Sequence, residues 1–320
     1  MTPLPLLELS IRTHCPYCAF QCGIIASDPT GTDADRIQGD PHFPVNKGQV
    51  CIKGWTAHAL LKHPRRLTTP LVRDSRKEEF RPATWDDALD RVATAMIRVR
   101  DQSGADANGV FGSGALTNES AYLLGKFARV AMGTANIDYN GRYCMSSAAA
   151  GANRAFGIDR GMPFPVDDLA QAEMIVLVGA NSAETLPPIM QWFQSQRENG
   201  GRLAVIDPRK TQTARAAHLH LPITPGTDLA LANGLLYLAI EEGFIDRDYI
   251  NRRTNGFEAV RRTVLQYHPA HVERITGVSE SSMRQLIRWM GNARSCMILS
   301  GRGAEQHSKG VDTVHAWINL

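Results

Sequence analysis

No apolar stretch in the sequence approaches 18 residues, so nothing in it is long enough to span a membrane as a helix. An excess of one charge is missing too. Lys and Arg number 35 against 32 Asp and Glu, a net of +3, and no basic run carries interleaved aromatics. A nucleic-acid partner leaves a stronger basic footprint, so that class is set aside. Residues Met1 to His14 lack a basic n-region, an apolar h-region and a twin-arginine pair. Their absence predicts a cytoplasmic protein, in which cysteines stay reduced rather than paired in disulfides. The glycine turn Gly112-Ser113-Gly114 lacks the Lys-Ser/Thr of a P-loop, so it is not read as a nucleoside triphosphate site.

What the sequence does have is a cysteine pattern at its front. Four of its 6 cysteines stand as Cys15-Pro16-Tyr17-Cys18-Ala19-Phe20-Gln21-Cys22 and then Cys51. Two short steps and one long one suit a cuboidal cluster: the local run wraps three corners and a returning segment supplies the fourth thiolate. The pattern fits a [4Fe–4S] cluster. Structural zinc stays open, although it usually wants two paired Cys-x₂₋₄-Cys knuckles and Cys51 is unpaired.

With the stretch Gly39-Asp40-Pro41-His42-Phe43-Pro44-Val45-Asn46-Lys47-Gly48 and with Cys51-Ile52-Lys53-Gly54, this motif resembles the amino-terminal domain of the molybdopterin oxidoreductases. That superfamily includes nitrate reductases and formate dehydrogenases. The resemblance implies an α/β fold in which a small β-rich iron–sulfur domain, residues 8–64, precedes Rossmann-like α/β domains over 65–320. The second part divides into a first α/β region, about 65–145, and a dinucleotide-binding region, about 146–320. It also implies that the chain is the front part of a longer polypeptide. Lys53 would lie between cluster and pterin, donating a hydrogen bond on the electron path. Most lysines are simply solvated, but this one stands two residues after a cluster thiolate.

Residues 1 to about 62 read as short antiparallel strands and turns, punctuated at Asp28-Pro29-Thr30-Gly31, Gly39-Asp40-Pro41 and Lys47-Gly48. A linker and an edge strand follow over 63–83. Thr84 and Asp87 form a capping-box-like pair opening a helix whose Trp85, Ala88, Leu89, Val92, Met96 and Val99 share one apolar face. Val110 to Gly114 reads as a strand running into a glycine turn, and Asn118 is placed to cap the next helix. Val311 to Leu320 reads as the start of an amphipathic helix.

From about residue 150 the pattern becomes βαβ. Met174-Ile175-Val176-Leu177-Val178 is a continuous apolar run suited to a buried parallel strand. Leu203 to Ile206, Leu219 to Ile223 and 296–300 are further strands, and Cys296 reads as a buried core thiol. Asp228 or Thr227 is placed to cap a long apolar helix. Ligands in such sheets bind beyond the carboxyl ends of strands. Gly179 lets backbone approach a phosphate, and Asp207 can accept from ribose hydroxyls. Nicotinamide dinucleotide would be the first reading, but one glycine stands where G-x-G-x-x-G is expected. The resemblance implies instead the guanosine diphosphate arm of a molybdopterin guanine dinucleotide. It assigns three segments: Leu177, Val178, Gly179, Ala180, Asn181, Ser182, Ala183 and Glu184; Asp207, Pro208, Arg209, Lys210 and Thr211; and Gly226, Thr227 and Asp228.

Asn140-Gly141-Arg142-Tyr143-Cys144-Met145 precedes a run of small residues. A lone Cys there is usually a small hydrophobe. At a helix amino terminus beside Arg142, however, its thiolate is favoured, and a soft thiolate suits a high-valent metal. The resemblance makes Cys144 the protein ligand to molybdenum and the catalytic residue, and makes Asn140 a pterin contact. Met145 follows Cys144 where formate dehydrogenases usually carry His, and this looks like the nitrate reductases. The stretches 153–165 and 301–310 resemble their assimilatory type. Ala115 departs from the Gln that periplasmic ones tend to carry after the Gly-Ser-Gly turn. The expected cofactors are therefore one [4Fe–4S] cluster and a molybdenum–bis(molybdopterin guanine dinucleotide). The expected reaction is nitrate to nitrite by oxygen-atom transfer. The expected electron donor is a ferredoxin, a flavodoxin or an NADH-linked reductase subunit. A Cys-containing formate dehydrogenase alpha subunit is the alternative. A cluster-bearing electron-transfer subunit without molybdenum is a third, against which Cys144 argues.

Overall fold

Pairing between short segments builds the first half of the chain, and a parallel sheet builds the second. The computed structural model describes residues 10–27, 37–61, 63–159 and 161–320. The turn expected at Asp28 to Gly31 lies outside the described residues. The chain divides into two units, Met1–Tyr143 and Cys144–Leu320.

In the first unit, β1 (Ile11–His14), β2 (Gly23–Ala26) and β3 (Ile37–Gly39) form an antiparallel sheet in that order. The β1–β2 connection is the segment that carries Cys15, Cys18 and Cys22. It is closed by Cys15 N–H donating to the Cys22 carbonyl at 2.8 Å. The turn α1 (Ile52–Trp55) begins immediately after Cys51. A hairpin of β4 (Leu71–Val72) and β5 (Arg81–Pro82) occupies the expected linker.

Next comes α2 (Trp85–Ser103), with Thr84 Oγ1 accepting from Asp87 N–H at 3.1 Å as the capping pair predicts. Its expected apolar face exists, but it is not buried: Trp85 is 68%, Leu89 57% and Val92 51% exposed. Periodicity fixes which residues share a face, not what covers it. β6 (Val110–Gly112) pairs in parallel with β7 (Ile137–Tyr139). Between them lies α3 (Asn118–Lys126), continued by a π-turn over Phe127–Ala131. The cap of α3 is Thr117, whose Oγ1 accepts from Ser120 N–H, and not Asn118, which is already helical.

The turn α4 (Gly141–Cys144) leads into the second unit and α5 (Ser146–Phe156). Then follow β8 (Met174–Val178), α6 (Ser182–Thr185), α7 (Met190–Glu198), β9 (Arg202–Ile206), α8 (Gln212–Ala216) and β10 (Leu219–Leu221). After them come α9 (Asp228–Glu241), α10 (Arg247–Arg253), α11 (Phe257–Val264), α12 (Pro269–Thr276) and α13 (Glu280–Asn292). The last elements are β11 (Cys296–Ser300), α14 (Arg302–Glu305) and α15 (Gly310–Asn319).

The four strands are parallel in the order β10-β9-β8-β11. Chain order therefore reverses between β8 and β11, and the crevice at that switch point is where a doubly wound sheet binds its ligand. Every residue of β8 is buried, as its unbroken apolar run predicts for a central parallel strand. Leu231, Leu235 and Leu238 of α9 pack on Val176, Val178 and Ile206, backed by Val272, Met283 and Leu286.

Two expectations are met only in part. As a whole residue Cys296 is exposed, at the start of β11, an outer strand of this sheet, yet burial pushes its thiol up to about 11. Thr227 occupies the N-cap position of α9, but neither it nor Asp228 supplies a side-chain cap. The Thr227 hydroxyl donates to the Thr224 carbonyl at 2.7 Å instead, leaving no side-chain cap. Among the described residues, no helix is long and apolar enough to cross a membrane.

Candidate functional site

The four front cysteines lie within electrostatic reach of one another. Burial pushes the Cys22 thiol up to about 11, and charge on Cys15, Cys18 and Cys51 pushes the same way. Cys15 is also raised by burial, with Cys18 and Cys51 adding to it, while the Tyr17 amide and the Lys53 ammonium oppose. A Cβ built on Gly54 would stand 3.6 Å from Cys15 Sγ, so the start of α1 is packed against the β1–β2 connection. Asn46, fully buried, bonds Gly23 N–H, the Gly23 carbonyl and the Gln49 carbonyl, and ties the Cys51 loop to the strand after Cys22. Among the described residues, no three His, Cys, Asp or Glu side chains are spaced for a single metal ion. The donor chemistry, four thiols gathered at one end of the sheet with those of Cys15 and Cys22 raised by burial, fits a cationic inorganic core that favours their thiolates.

In the same unit, Asn140 Oδ1 accepts from Gly114 N–H at 2.6 Å. This joins the loops at the carboxyl ends of β6 and β7. Arg142 is committed to Asp138, its Nε donating to Oδ2 at 2.7 Å, so the cation expected to assist a thiolate is already paired.

Cys144 is half-buried and stands two residues before α5, whose Met145 cap position carries no side-chain cap. Two side chains from one distant segment hold its backbone. Arg302 Nη1 donates to the Cys144 carbonyl at 3.1 Å and Gln306 Nε2 at 3.0 Å.

At the switch point, a crevice of about 330 Å³ is lined by Gly179, Asn181, Asp207, Pro208, Arg209, Gly226 and Asp228. Three separated predicted segments thus meet in one place. Gly179 has φ +61°, and a Cβ there would collide with Ala304 N, so only glycine fits. Asp207 Oδ1 accepts from Arg209 N–H at 2.8 Å, and the Asp207 carbonyl accepts from His220 Nε2 at 2.8 Å. Asp228 is buried and its carboxyl is raised by burial, while its own amide and His307, 3.8 Å away, pull it down.

Some predicted residues support the crevice rather than line it. Leu177 and Val178 are core residues of β8, and Ser182 is buried. Thr211 caps α8 through Ala214 N–H. Ala180, Ala183, Glu184 and Lys210 are not among the lining residues, and Thr227 faces an adjoining hollow of about 440 Å³. That hollow is the larger, but it lies off the strand ends, so the crevice is the better nucleotide site. Sequence reasoning missed Thr185, Gly303 and His307 in the lining. The spaced glycines of Gly301-Arg302-Gly303, directly after a strand, were the available signal.

Residues 66–320 match the family model described as Molybdopterin oxidoreductase, and residues 9–63 match that of the Molybdopterin oxidoreductase Fe4S4 domain. The chain belongs to the molybdopterin oxidoreductases. It is 40% identical over 314 residues to the assimilatory nitrate reductase catalytic subunit of Bacillus subtilis (strain 168), covering 98% of this chain and 44% of that one. It is 34% identical over 317 residues to formate dehydrogenase H of Escherichia coli (strain K12), covering 97% and 44%. The solved acetylene hydratase of Pelobacter acetylenicus shares the fold, with a TM-score of 0.84 at 22% identity over 96% of this chain and 42% of that one. The chain thus spans less than half the length of these relatives.

As a molybdopterin oxidoreductase with this Fe4S4 domain, the chain is built for a [4Fe–4S] cluster and a molybdenum–molybdopterin cofactor. The converging thiols and the glycine-floored crevice fit those groups.

Proposed function

We propose that this chain is the amino-terminal part of an assimilatory nitrate reductase catalytic subunit. Its likeness to the Bacillus subtilis enzyme, stronger than to the formate dehydrogenase, carries that reading. Met145 after Cys144, where formate dehydrogenases usually carry His, points the same way.

When bound, the molybdenum centre supplies oxygen-atom transfer, taking one oxygen from nitrate with two electrons and two protons to give nitrite and water. The chain's residues bind and orient. Cys15, Cys18, Cys22 and Cys51 hold the [4Fe–4S] cluster. Lys53, whose charge reaches Cys15, is the polar contact on the electron path. Asn140 contacts the pterin, and Cys144 gives its thiolate to molybdenum. The switch-point crevice takes the guanosine diphosphate arm. The buried Asp228 carboxylate offers two acceptors to the N1–H and N2–H₂ edge of guanine, and Asp207 offers acceptors to the ribose. The donor is a ferredoxin, flavodoxin or NADH-linked reductase subunit, and the setting is cytoplasmic.

A Cys-type formate dehydrogenase is the second reading, favoured by the 34% identity to the Escherichia coli enzyme. An anaerobic assay of the complete polypeptide separates them. Nitrite formed from nitrate and reduced viologen supports the first reading. Formate-dependent viologen reduction without nitrite formation overturns it in favour of the second.

A further inference from the structure

The segment from Gly301 to Gly310 touches both halves of the cofactor region in the second unit. At one end it interlocks with the crevice. Gly301 N–H donates to the Val178 carbonyl at 2.7 Å, and Gly303 N–H to the Gly179 carbonyl at 3.0 Å. His307 Nε2 donates to the Gly303 carbonyl at 2.8 Å and faces Asp228. At the other end it grips the Cys144 carbonyl through Arg302 and Gln306.

Glu305 lies buried under the segment, 1% exposed, with neither carboxylate oxygen in a hydrogen bond. Burial raises its carboxyl, opposed by Arg302, whose Nη2 is 2.5 Å away, and by the Ala148 amide in the first turn of α5. A Cβ on Gly310 would collide with the Glu305 carbonyl and with Ser147 Oγ, so the segment's end is pressed against α5 as well.

We infer that Gly301–Gly310 is a positioning strap for Cys144, with Arg302 and Gln306 as its positioning residues. Two donors fill both lone pairs of the Cys144 carbonyl and so fix the 144–145 peptide plane. With α5 fixed behind it, the thiol keeps only its own rotamer. Arg302 bridges carbonyl and carboxylate with separate nitrogens, a fork that lysine does not reproduce. The inference rests on the proposed reading of Cys144 as the molybdenum ligand.

The test uses the complete polypeptide, with Arg302→Met/Gln306→Ala, the milder Gln306→Ala, Arg302→Lys, and Cys144→Ala as reference. Turnover is read with whichever of nitrate and formate the enzyme accepts. The double variant is expected to lose roughly 10- to 100-fold in kcat, as outer contacts of metal ligands do, with KM within about twofold. The molybdenum EPR signal shifts in that variant. In cofactor-free protein, the iodoacetamide rate at Cys144, measured against a free thiol in solution, changes in the same order of variants. Arg302→Lys restores part of each effect.

Unchanged kcat, EPR signal and alkylation rate, beside an inactive Cys144→Ala, overturn the strap and leave the ligand reading standing. Lost kcat that tracks lost melting temperature, with the EPR signal of the remaining sites unchanged, also overturns it. Turnover and an unaltered molybdenum signal in Cys144→Ala overturn the ligand reading itself, and the strap with it.

Discussion

Asn46 brackets Gly23 with both ends of its side chain: Oδ1 accepts from the Gly23 N–H at 2.7 Å, and Nδ2 donates to the Gly23 carbonyl at 3.1 Å. Nδ2 also donates to the Gln49 carbonyl at 2.9 Å. Gly23 follows Cys22, and Gln49 stands two residues before Cys51. One buried amide therefore sets the distance between two thiol-bearing segments.

Asn46→Ala takes this partner from the Gly23 N–H and the Gln49 carbonyl, while the Gly23 carbonyl keeps the Asp40 N–H at 2.9 Å. Each such group costs about 1–3 kcal/mol, so the iron–sulfur region is expected to lose several kcal/mol. Asn46→Asp is expected to do no better, because a carboxylate cannot donate to the two carbonyls. Iron per chain and cluster absorbance check this. Full cluster content in Asn46→Ala would show that the inorganic core alone holds the Cys51 loop in place.

Asp228 gives a pH-dependent prediction. Burial raises its carboxyl, so the folded protein binds this proton more tightly than the unfolded chain does. The resulting stability is fully present below the unfolded value, about 4, and is lost as pH rises through the folded one. At neutral pH burial of this group is therefore a net cost while no ligand pairs with it. Asp228→Asn is therefore expected to raise the melting temperature of cofactor-free protein at neutral pH, with the gain fading towards acid. The same change should lower molybdopterin content, because one carboxylate acceptor becomes a donor. Melting curves across pH, with molybdenum per chain, check both signs.

Gly179 is expected to tolerate no side chain. Alanine at φ +61° costs about 1–2 kcal/mol in backbone strain, before the collision with Ala304 N. Relief requires the β8 and β11 loops to part, which opens the floor of the crevice. Gly179→Ala should release less guanine nucleotide on denaturation of the purified enzyme, with iron content unchanged. Equal nucleotide release would place the dinucleotide arm elsewhere.

Much of this arrangement was legible before the structure. The cysteine spacing, the apolar run of β8 and the Thr84–Asp87 cap are local patterns with local causes. What could not be read came from competition or from distance. Thr227 has the right chemistry for a cap, but the Thr224 carbonyl takes its hydroxyl. Thr117 and Asn118 are both good caps, and composition does not choose between neighbours. β7 has only three residues and no period to detect. The crevice lining by Gly303 and His307, and the grip of Arg302 on Cys144, join segments more than a hundred residues apart.

Cys144→Ala is the sharpest prediction of the proposed function. The thiol sits in the second unit, while Cys15, Cys18, Cys22 and Cys51 lie in the first, so removing it leaves the Asn46 tie and those four thiols untouched. Turnover should vanish while cluster absorbance and iron content stay at wild-type levels. Cys144→Ser is expected to retain molybdenum with weakened activity, since an alkoxide is a harder donor than a thiolate and raises the energy of the reduced metal. Anaerobic viologen assays paired with iron and molybdenum analysis separate these outcomes. Wild-type-like activity in Cys144→Ala would remove the ligand assignment and leave the small-residue helix behind it as packing alone.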